Sequence, residues 1–453
     1  MKSALKALSA VALLGTLALQ PAFADDSTTP APTDPKDQKD LKKVIEDQGI
    51  NYVETAQKGI TLSGYVDTSY TYQFAGAGEY GSTGQNPGTG PANTHAPLRQ
   101  FDTSNNTFNI NAVKIALEKA LPDKNEWAAG FRIDTIYGED ARTLGDSGLN
   151  FSGTKSNGNT NNDSGLALEQ ALVKFRIPIG NGLDIYAGKF VTFLGYEVIE
   201  SPANLNFSRG LLFTNLIPLT HTGVYADYKF NNILEAKLGI VDGWNNSTSP
   251  SVGNGTTPGS GTAGNNDSST FGKAITGQLV INAPGGNANI DQSFIYSPDG
   301  EPGVVGSAGN AFVGVYDIWG NWNPTFVKDN ALLLGFNGDL GSDQGTGFYG
   351  IAFYAQYKFT KVFSLAGRAE YIHDDSAPSG AAKFGAFAGA VGPNANGSVG
   401  SQDDYAYTLT ASFNMWDNLL TRIEYRIDDD CGNSTGVGHQ LDSEISLNAV
   451  YSF

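Results

Sequence analysis

The last thirteen residues, Leu441-Asp-Ser-Glu-Ile445-Ser-Leu447-Asn-Ala449-Val-Tyr451-Ser-Phe453, alternate with a period of two. Odd positions are apolar apart from Ser443, and even positions are mostly polar. Successive side chains of an extended strand point to opposite faces, so one face of this segment is apolar and the other polar. A soluble fold rarely leaves such a strand at an edge, because its unpaired backbone recruits other chains. A barrel closed within a membrane accommodates it: lipid covers the apolar face and the first strand takes the free edge.

The N-terminus points the same way. Lys2 and Lys6 precede an apolar run from Leu8 to Leu19, and Pro21-Ala-Phe-Ala24 has small residues at the spacing of a cleavage site. Residues 1–24 therefore read as a secretory signal peptide cut near Ala24, since the run is too short to span a bilayer. No later apolar stretch is long enough for a spanning helix. Residues 25–59 form a separate tail. It is Pro-rich at first and then charged, with Leu41, Val44 and Ile45 at helical spacing. A short solvated helix and a periplasmic helix that associates between subunits both fit that single apolar turn.

Residues 60–453 carry sixteen strand-like blocks. They begin near Leu62, Thr107, Trp127, Leu168, Leu183, Leu219, Ile233, Phe271, Ile290, Ala311, Ala331, Phe348, Phe363, Asp404, Leu419 and Leu441. In the first, Leu62, Val66, Thr68, Tyr70, Tyr72 and Phe74 share a face opposite Ser63, Tyr65, Asp67, Ser69, Thr71 and Gln73. In the third, Trp127, Ala129, Phe131, Ile133 and Tyr137 oppose Arg132 and Asp134. The second, fifth and eighth slip in phase, and the ninth, around 292–296, is the least regular. Connections alternate between short ones (122–125, 178–181, 231–232, 360–361, 417–418) and long polar ones (75–106, 138–165, 243–270, 374–403, 430–440). Short turns on one rim and long loops on the other describe a transmembrane antiparallel β-barrel with short periplasmic turns and long extracellular loops. Both termini on the short-turn side require an even strand count.

Charged residues of such strands must face the lumen, since a charge on the lipid face costs about 2–4 kcal/mol near the midplane. Arg132, Asp134, Lys174, Arg176, Arg368, Glu370, Arg422, Glu424 and Arg426 are thus expected to line the pore, together with Lys114, Lys229, Lys237, Asp67, Asp227, Glu235, Asp317, Asp442 and Glu444. These charges either set selectivity or pair with one another across neighbouring strands. One long connection, Lys189 to Gly223, differs from the rest: it is apolar and aromatic, so it should pack against something rather than lie in water. Folded inward, it would carry Glu197, Glu200, Arg209 and His221 to a constriction, where Glu197 and Glu200 oppose the arginines across the lumen. A lid or a subunit contact is the other reading.

Other chemistry has little support. The net charge of −18 argues against nucleic acid. A single cysteine, Cys431, excludes a disulfide framework and a Cys-rich metal site. The four histidines are dispersed, so no metal or cofactor is expected. Acidic runs at His373-Asp-Asp375 and Asp428-Asp-Asp430 read as rim charges, with divalent cations near lipopolysaccharide as the alternative. No catalytic signature occurs in a suitable context.

The ordered set Gly64-Tyr-Val-Asp67-Thr-Ser-Tyr70, Gly188-Lys-Phe190, Gly195-Tyr-Glu197, Pro218-Leu-Thr-His221-Thr-Gly223, Val241-Asp-Gly-Trp244 and Tyr451-Ser-Phe453 resembles the β-barrel porin-2, OmpL-like family over residues 60–453. The resemblance implies a Gram-negative outer-membrane protein that passes small hydrophilic solutes or ions without enzymatic chemistry. Its expected surroundings are outer-membrane lipid and lipopolysaccharide, with self-association into a homo-oligomer left open. Two rivals remain at this point: a plugged, non-conducting barrel that acts through its loops, and a soluble secreted β-protein.

Overall fold

The computed structural model describes residues 59–74, 99, 101, 106–144, 165–244, 273–297, 312–343, 346–375, 402–430 and 440–453. The expected signal peptide and tail therefore lie outside the described residues, as do His95, His439 and the side chain of Asp442.

Sixteen strands form one closed antiparallel barrel. They are β1 (Ile60–Gln73), β2 (Thr107–Lys119), β3 (Ala128–Tyr137), β4 (Leu166–Ile177), β5 (Leu183–Val191), β6 (Thr220–Lys229), β7 (Leu234–Val241) and β8 (Ala274–Asn282). Then come β9 (Ala288–Ser297), β10 (Val313–Trp322), β11 (Leu332–Asp343), β12 (Thr346–Lys358), β13 (Phe363–Asp374), β14 (Gln402–Trp416), β15 (Leu419–Asp430) and β16 (Gln440–Ser452). Each strand pairs with its sequence neighbours, and β16 closes on β1 with Val66 opposite Tyr451 and Tyr70 opposite Leu447. The free edge inferred from the C-terminal segment is thus filled by the first strand. At the seam, Gly64 and Phe453 exchange two backbone hydrogen bonds of 2.9 and 3.0 Å. Gly64 leaves room there for the Phe453 ring, which a Cβ would meet at 2.8 Å.

The alternation follows the sequence. Trp127 and Ile133 are 76% and 44% exposed, whereas Arg132 and Asp134 are 6% and 0% exposed. Aromatic residues gather outside at both rims: Trp127, Trp322, Phe359, Trp416 and Phe453 at the short-turn end, Phe74, Tyr137, Tyr349 and Tyr425 at the other. Amphipathic rings at those two levels suit the two interfaces of a bilayer. No helix among the described residues is long and apolar enough to cross a membrane, which says nothing about a barrel.

Two β-bulges explain local departures from alternation. The β1–β2 register shifts between Asp67 and Thr68, leaving Asn111 as the extra residue. The β3–β4 register shifts between Asp134 and Thr135, leaving Glu169 extra. A bulge puts two consecutive residues opposite one, so neighbours can point the same way. Asn111 and Ala112 are both buried, as are Glu169 and Gln170. The phase slip in the second block is this insertion. Each bulge adds a polar side chain to the lumen.

Two short helices lie between strands: α1 (Glu139–Leu144) after β3, and α2 (Leu211–Asn215) before β6. A single 3-10 turn, Ser201–Ala203, precedes α2. On the long-loop side, only two residues separate β11 from β12.

Candidate functional site

The segment between β5 and β6, residues 192–219, bonds to inward-facing side chains on widely separated strands, so it crosses the lumen. Its first part lies on β8–β12. The Phe193 carbonyl accepts from Gln278 Nε2 and Ser293 Oγ, both at 2.9 Å. The Tyr196 N–H donates to Asn337 Oδ1 at 3.0 Å, and its hydroxyl donates to Asn321 Oδ1 at 2.7 Å. The Tyr196 ring stacks on Tyr354 with centroids 4.1 Å apart. Gly195 makes the bend with φ of +94°, a left-handed conformation that favours glycine.

The middle of the segment is clamped by β13 and β15. Arg422 donates to the carbonyls of Ser201 and Asn206 at 3.0 and 3.1 Å, to Ser201 Oγ at 2.5 Å, and to Asn448 Oδ1 at 2.8 Å. Glu424 accepts from the backbone N–H groups of Phe207 and Ser208 at 2.6 and 3.0 Å. Arg368 donates to the Ser208 carbonyl at 2.6 Å, and Arg426 to the Arg209 carbonyl at 2.7 Å. A loop has many backbone groups and cannot be buried unless they are paired. Three arginines and one glutamate supply that pairing here. The apolar residues that set this segment apart, Leu211, Leu212, Phe213, Leu216 and Ile217, are buried with Ile199, Phe348 and Ile372.

The acids of the segment are paired as well. Glu197 accepts from Arg368 at 2.5 Å and from the Gly210 N–H at 2.5 Å. Glu200 contacts Lys114 Nζ at 2.5 Å, and Arg209 contacts Asp140 of α1 at 2.7 Å. Instead of facing the wall cations across open space, Glu197 and Glu200 touch them. His221 lies at the loop base, with its ring nitrogens 3.1 Å from Thr192 Oγ1 and 3.3 Å from the Gly243 carbonyl.

On the opposite wall, β2–β4 hold a second network. Lys114 Nζ lies 3.2 Å from Asp134 and 3.0 Å from Glu169, besides Glu200. Asp134, Glu169 and Glu200 bring carboxylate oxygens within 4.8 Å of one another, a donor set suited to a cation. The Lys114 ammonium fills it. Burial opposes ionisation of Glu200, but the adjacent Lys114 outweighs it and holds the carboxyl below its usual range. Arg132 bonds Asp134 at 2.7 Å and lies 3.4 Å from Glu118, which also contacts Lys174. Arg176 pairs with Asp184 at 2.6 Å near the short-turn rim. Glu370 lies 2.8 Å from Arg368, and Asp428 lies 2.7 Å from Arg426.

Every residue expected in the lumen on β2, β3, β4, β13 and β15 is thus brought inward, and the charged ones pair closely. Lys229 keeps its phase but is exposed at the short-turn rim. His373 lies on the outer face, bonded to Asp403 at 2.8 Å and 3.3 Å from Asp375. Sequence reasoning missed Arg99 and Phe101, which belong to the first long connection. Arg99 contacts Glu444, and Phe101 packs on Phe213 at 5.8 Å and under the Arg209 guanidinium at 4.7 Å. It also missed Glu118, which shares the inward face of Lys114 on β2, Glu169, which is inserted by the β4 bulge, and Asp140 on α1.

No curated protein matches the chain. Among solved structures it is similar to the outer membrane channel DcaP of Acinetobacter baumannii, with a TM-score of 0.52, 11% identity, and coverage of 88% of this chain and 99% of that one. It is also similar to Pseudomonas putida OprB in its high-pH structure, with a TM-score of 0.51, 14% identity, and coverage of 92% and 97%. At such identities the likeness shows the fold alone. The family model described as Putative beta-barrel porin-2, OmpL-like matches residues 59–453, and the chain belongs to that family of outer-membrane β-barrels.

Proposed function

We propose that the protein is an outer-membrane porin through which small hydrophilic solutes or ions diffuse passively, past the constriction made by residues 192–219. The carrying observation is that this segment runs through the lumen of a closed sixteen-stranded barrel while the wall behind it stays polar and charged. A barrel of that strand number is wide enough to hold an aqueous channel. Glu197, Glu200 and Arg209 act here as tethers that fix the loop, while Arg132, Asp134, Lys174, Arg176, Arg368, Glu370, Arg422, Glu424 and Arg426 line and hold the bore. No covalent step is involved. Export uses residues 1–24, and residues 25–59 stay on the periplasmic side. The two outward aromatic belts meet the lipid and lipopolysaccharide interfaces.

A second reading has its own support: many inward side chains are fully buried, which favours a plugged, structural barrel. Planar-bilayer recording separates the two. The porin reading expects discrete conductance steps from the detergent-folded protein. A bilayer that stays silent with correctly folded protein refutes it.

A further inference from the structure

The inward faces of β8–β12 differ from the rest of the wall. Asp291 on β9, Asp317 on β10 and Asp339 and Asp343 on β11 all point inward and are buried. The inward positions of these five strands carry no Lys, Arg or His apart from Lys358, at the exposed short-turn end. On the neighbouring β7, Lys237 is already bonded to Gln278 at 2.8 Å and lies 3.5 Å from Glu235. On the other wall each described arginine or lysine of the clamp and the Lys114 network has an acid or a carbonyl in contact, as described above.

The acids form a line. Asp317 sits directly opposite Asp339, while Asp291 is opposite Trp319, two residues further toward the short-turn rim. Two residues of strand correspond to about 7 Å, so Asp291 and the Asp317–Asp339 pair are successive steps along the bore. Asp343 continues the line toward the long-loop rim, four residues beyond Asp339.

The pair itself points to a ligand. Asp339 is 3% exposed; among the described residues no N–H or hydroxyl donor reaches its carboxylate, and the Asp317 carboxyl faces it within hydrogen-bonding reach. Asp317 is fully buried. It accepts from Asn337 Nδ2 at 2.7 Å, and the Gly195 N–H of the loop and the Asp339 carboxyl also face it. Asp291 likewise accepts from Asn289 through Oδ1 and has a free Oδ2. Like charges placed directly opposite each other on a sheet repel, and a buried carboxylate without a counter-charge is strongly disfavoured. The constriction loop is fastened beside the pair through Tyr196 and Asn337, so this station lies at the level of the constriction.

Resting on the porin reading, we infer that the acidic line on β9–β11 is a cation track, with the Asp317–Asp339 pair as its binding station, and that the pore passes monovalent cations in preference to anions. Successive acidic stations let an arriving ion displace the one ahead, which keeps binding from halting transport. The paired bases opposite offer no matching station to an anion.

The test is the reversal potential in a KCl gradient, for the wild-type protein and for an Asp317→Asn/Asp339→Asn double variant. The wild type is expected to favour K+ over Cl−, and the variant to lose roughly threefold or more of that permeability ratio. The amides keep the shape and remove a like-charge pair, so the barrel should fold; heat-modifiable gel mobility verifies it. Asp291→Asn, tested alone, provides a second variant that should shift the ratio in the same direction. A wild-type pore that conducts without cation preference, or variants with an unchanged ratio, overturns the track and leaves the porin reading standing. An unchanged ratio is what a proton shared between the two carboxyls predicts. A silent bilayer refutes the porin reading and the track together.

Discussion

Arg422→Met should release the middle of the constriction loop from its wall. The wild-type guanidinium makes two close hydrogen bonds to loop carbonyls, at 3.0 and 3.1 Å, a longer one to the Asn204 carbonyl at 3.5 Å, and one to Ser201 Oγ. Hydrogen bonds to a charged group contribute about 1.5–3 kcal/mol each, so losing the two carbonyl bonds weakens the loop's seat by about 3 kcal/mol. Burying the charge was itself unfavourable, which offsets part of this. The opening equilibrium should then rise roughly tenfold to a hundredfold, at about 1.4 kcal/mol per factor of ten. Trypsin reads this out, because Arg209 lies in the same loop and is buried at 3% exposure. Cleavage of a buried site tracks the open population when opening and closing are fast. Mass spectrometry of timed digests should show cutting after Arg209 accelerated by that factor, in a barrel whose heat-modifiable mobility is unchanged. Equal cleavage rates in wild type and variant would refute the clamp as the loop's main anchor.

Glu200→Gln tests the second tether. The folded carboxyl of Glu200 titrates below its unfolded value, so its contribution is present above the unfolded value and is lost as pH falls through the folded one. Acid titration of thermal stability, followed by circular dichroism in detergent, should show a wild-type loss below the ordinary carboxylate range that shrinks in the variant; superimposable acid limbs would count against it. Gly210→Ala puts a methyl against the carboxylates of Glu197 and Glu370. It should lower stability by about 1–3 kcal/mol, and an unaltered unfolding midpoint would show that the loop can give way.

The strand ladder was legible because lipid imposes the alternation directly. All sixteen starts fall within three residues of expectation, with the largest offset at β8, where Ala274 replaces Phe271. The inward direction of Arg132, Arg368 and Arg422 followed from the same constraint. What the period could not carry was an inserted residue: Asn111 and Glu169 face inward only because of bulges, and Glu169 completes the Lys114 network. The aromatic and aliphatic composition of 189–223 pointed to a packed loop, but its partners were not readable. Glu197 finds Arg368 across 171 positions of sequence, and nothing local records that distance. Asp339 was hidden differently, since β11 is rich in Gly and Leu and shows its phase only once Asp317 is seen opposite.

The clamp also constrains the order of assembly. Arg422 and Ser201 are 221 positions apart, and Glu424 and Phe207 are 217 apart. Contacts so remote in sequence carry a large chain-closure cost and form late. The middle of residues 192–219 therefore has no permanent seat until β13 and β15 have joined the wall. Until then the nascent cylinder holds its aliphatic helix undocked, with its apolar side chains still open to solvent.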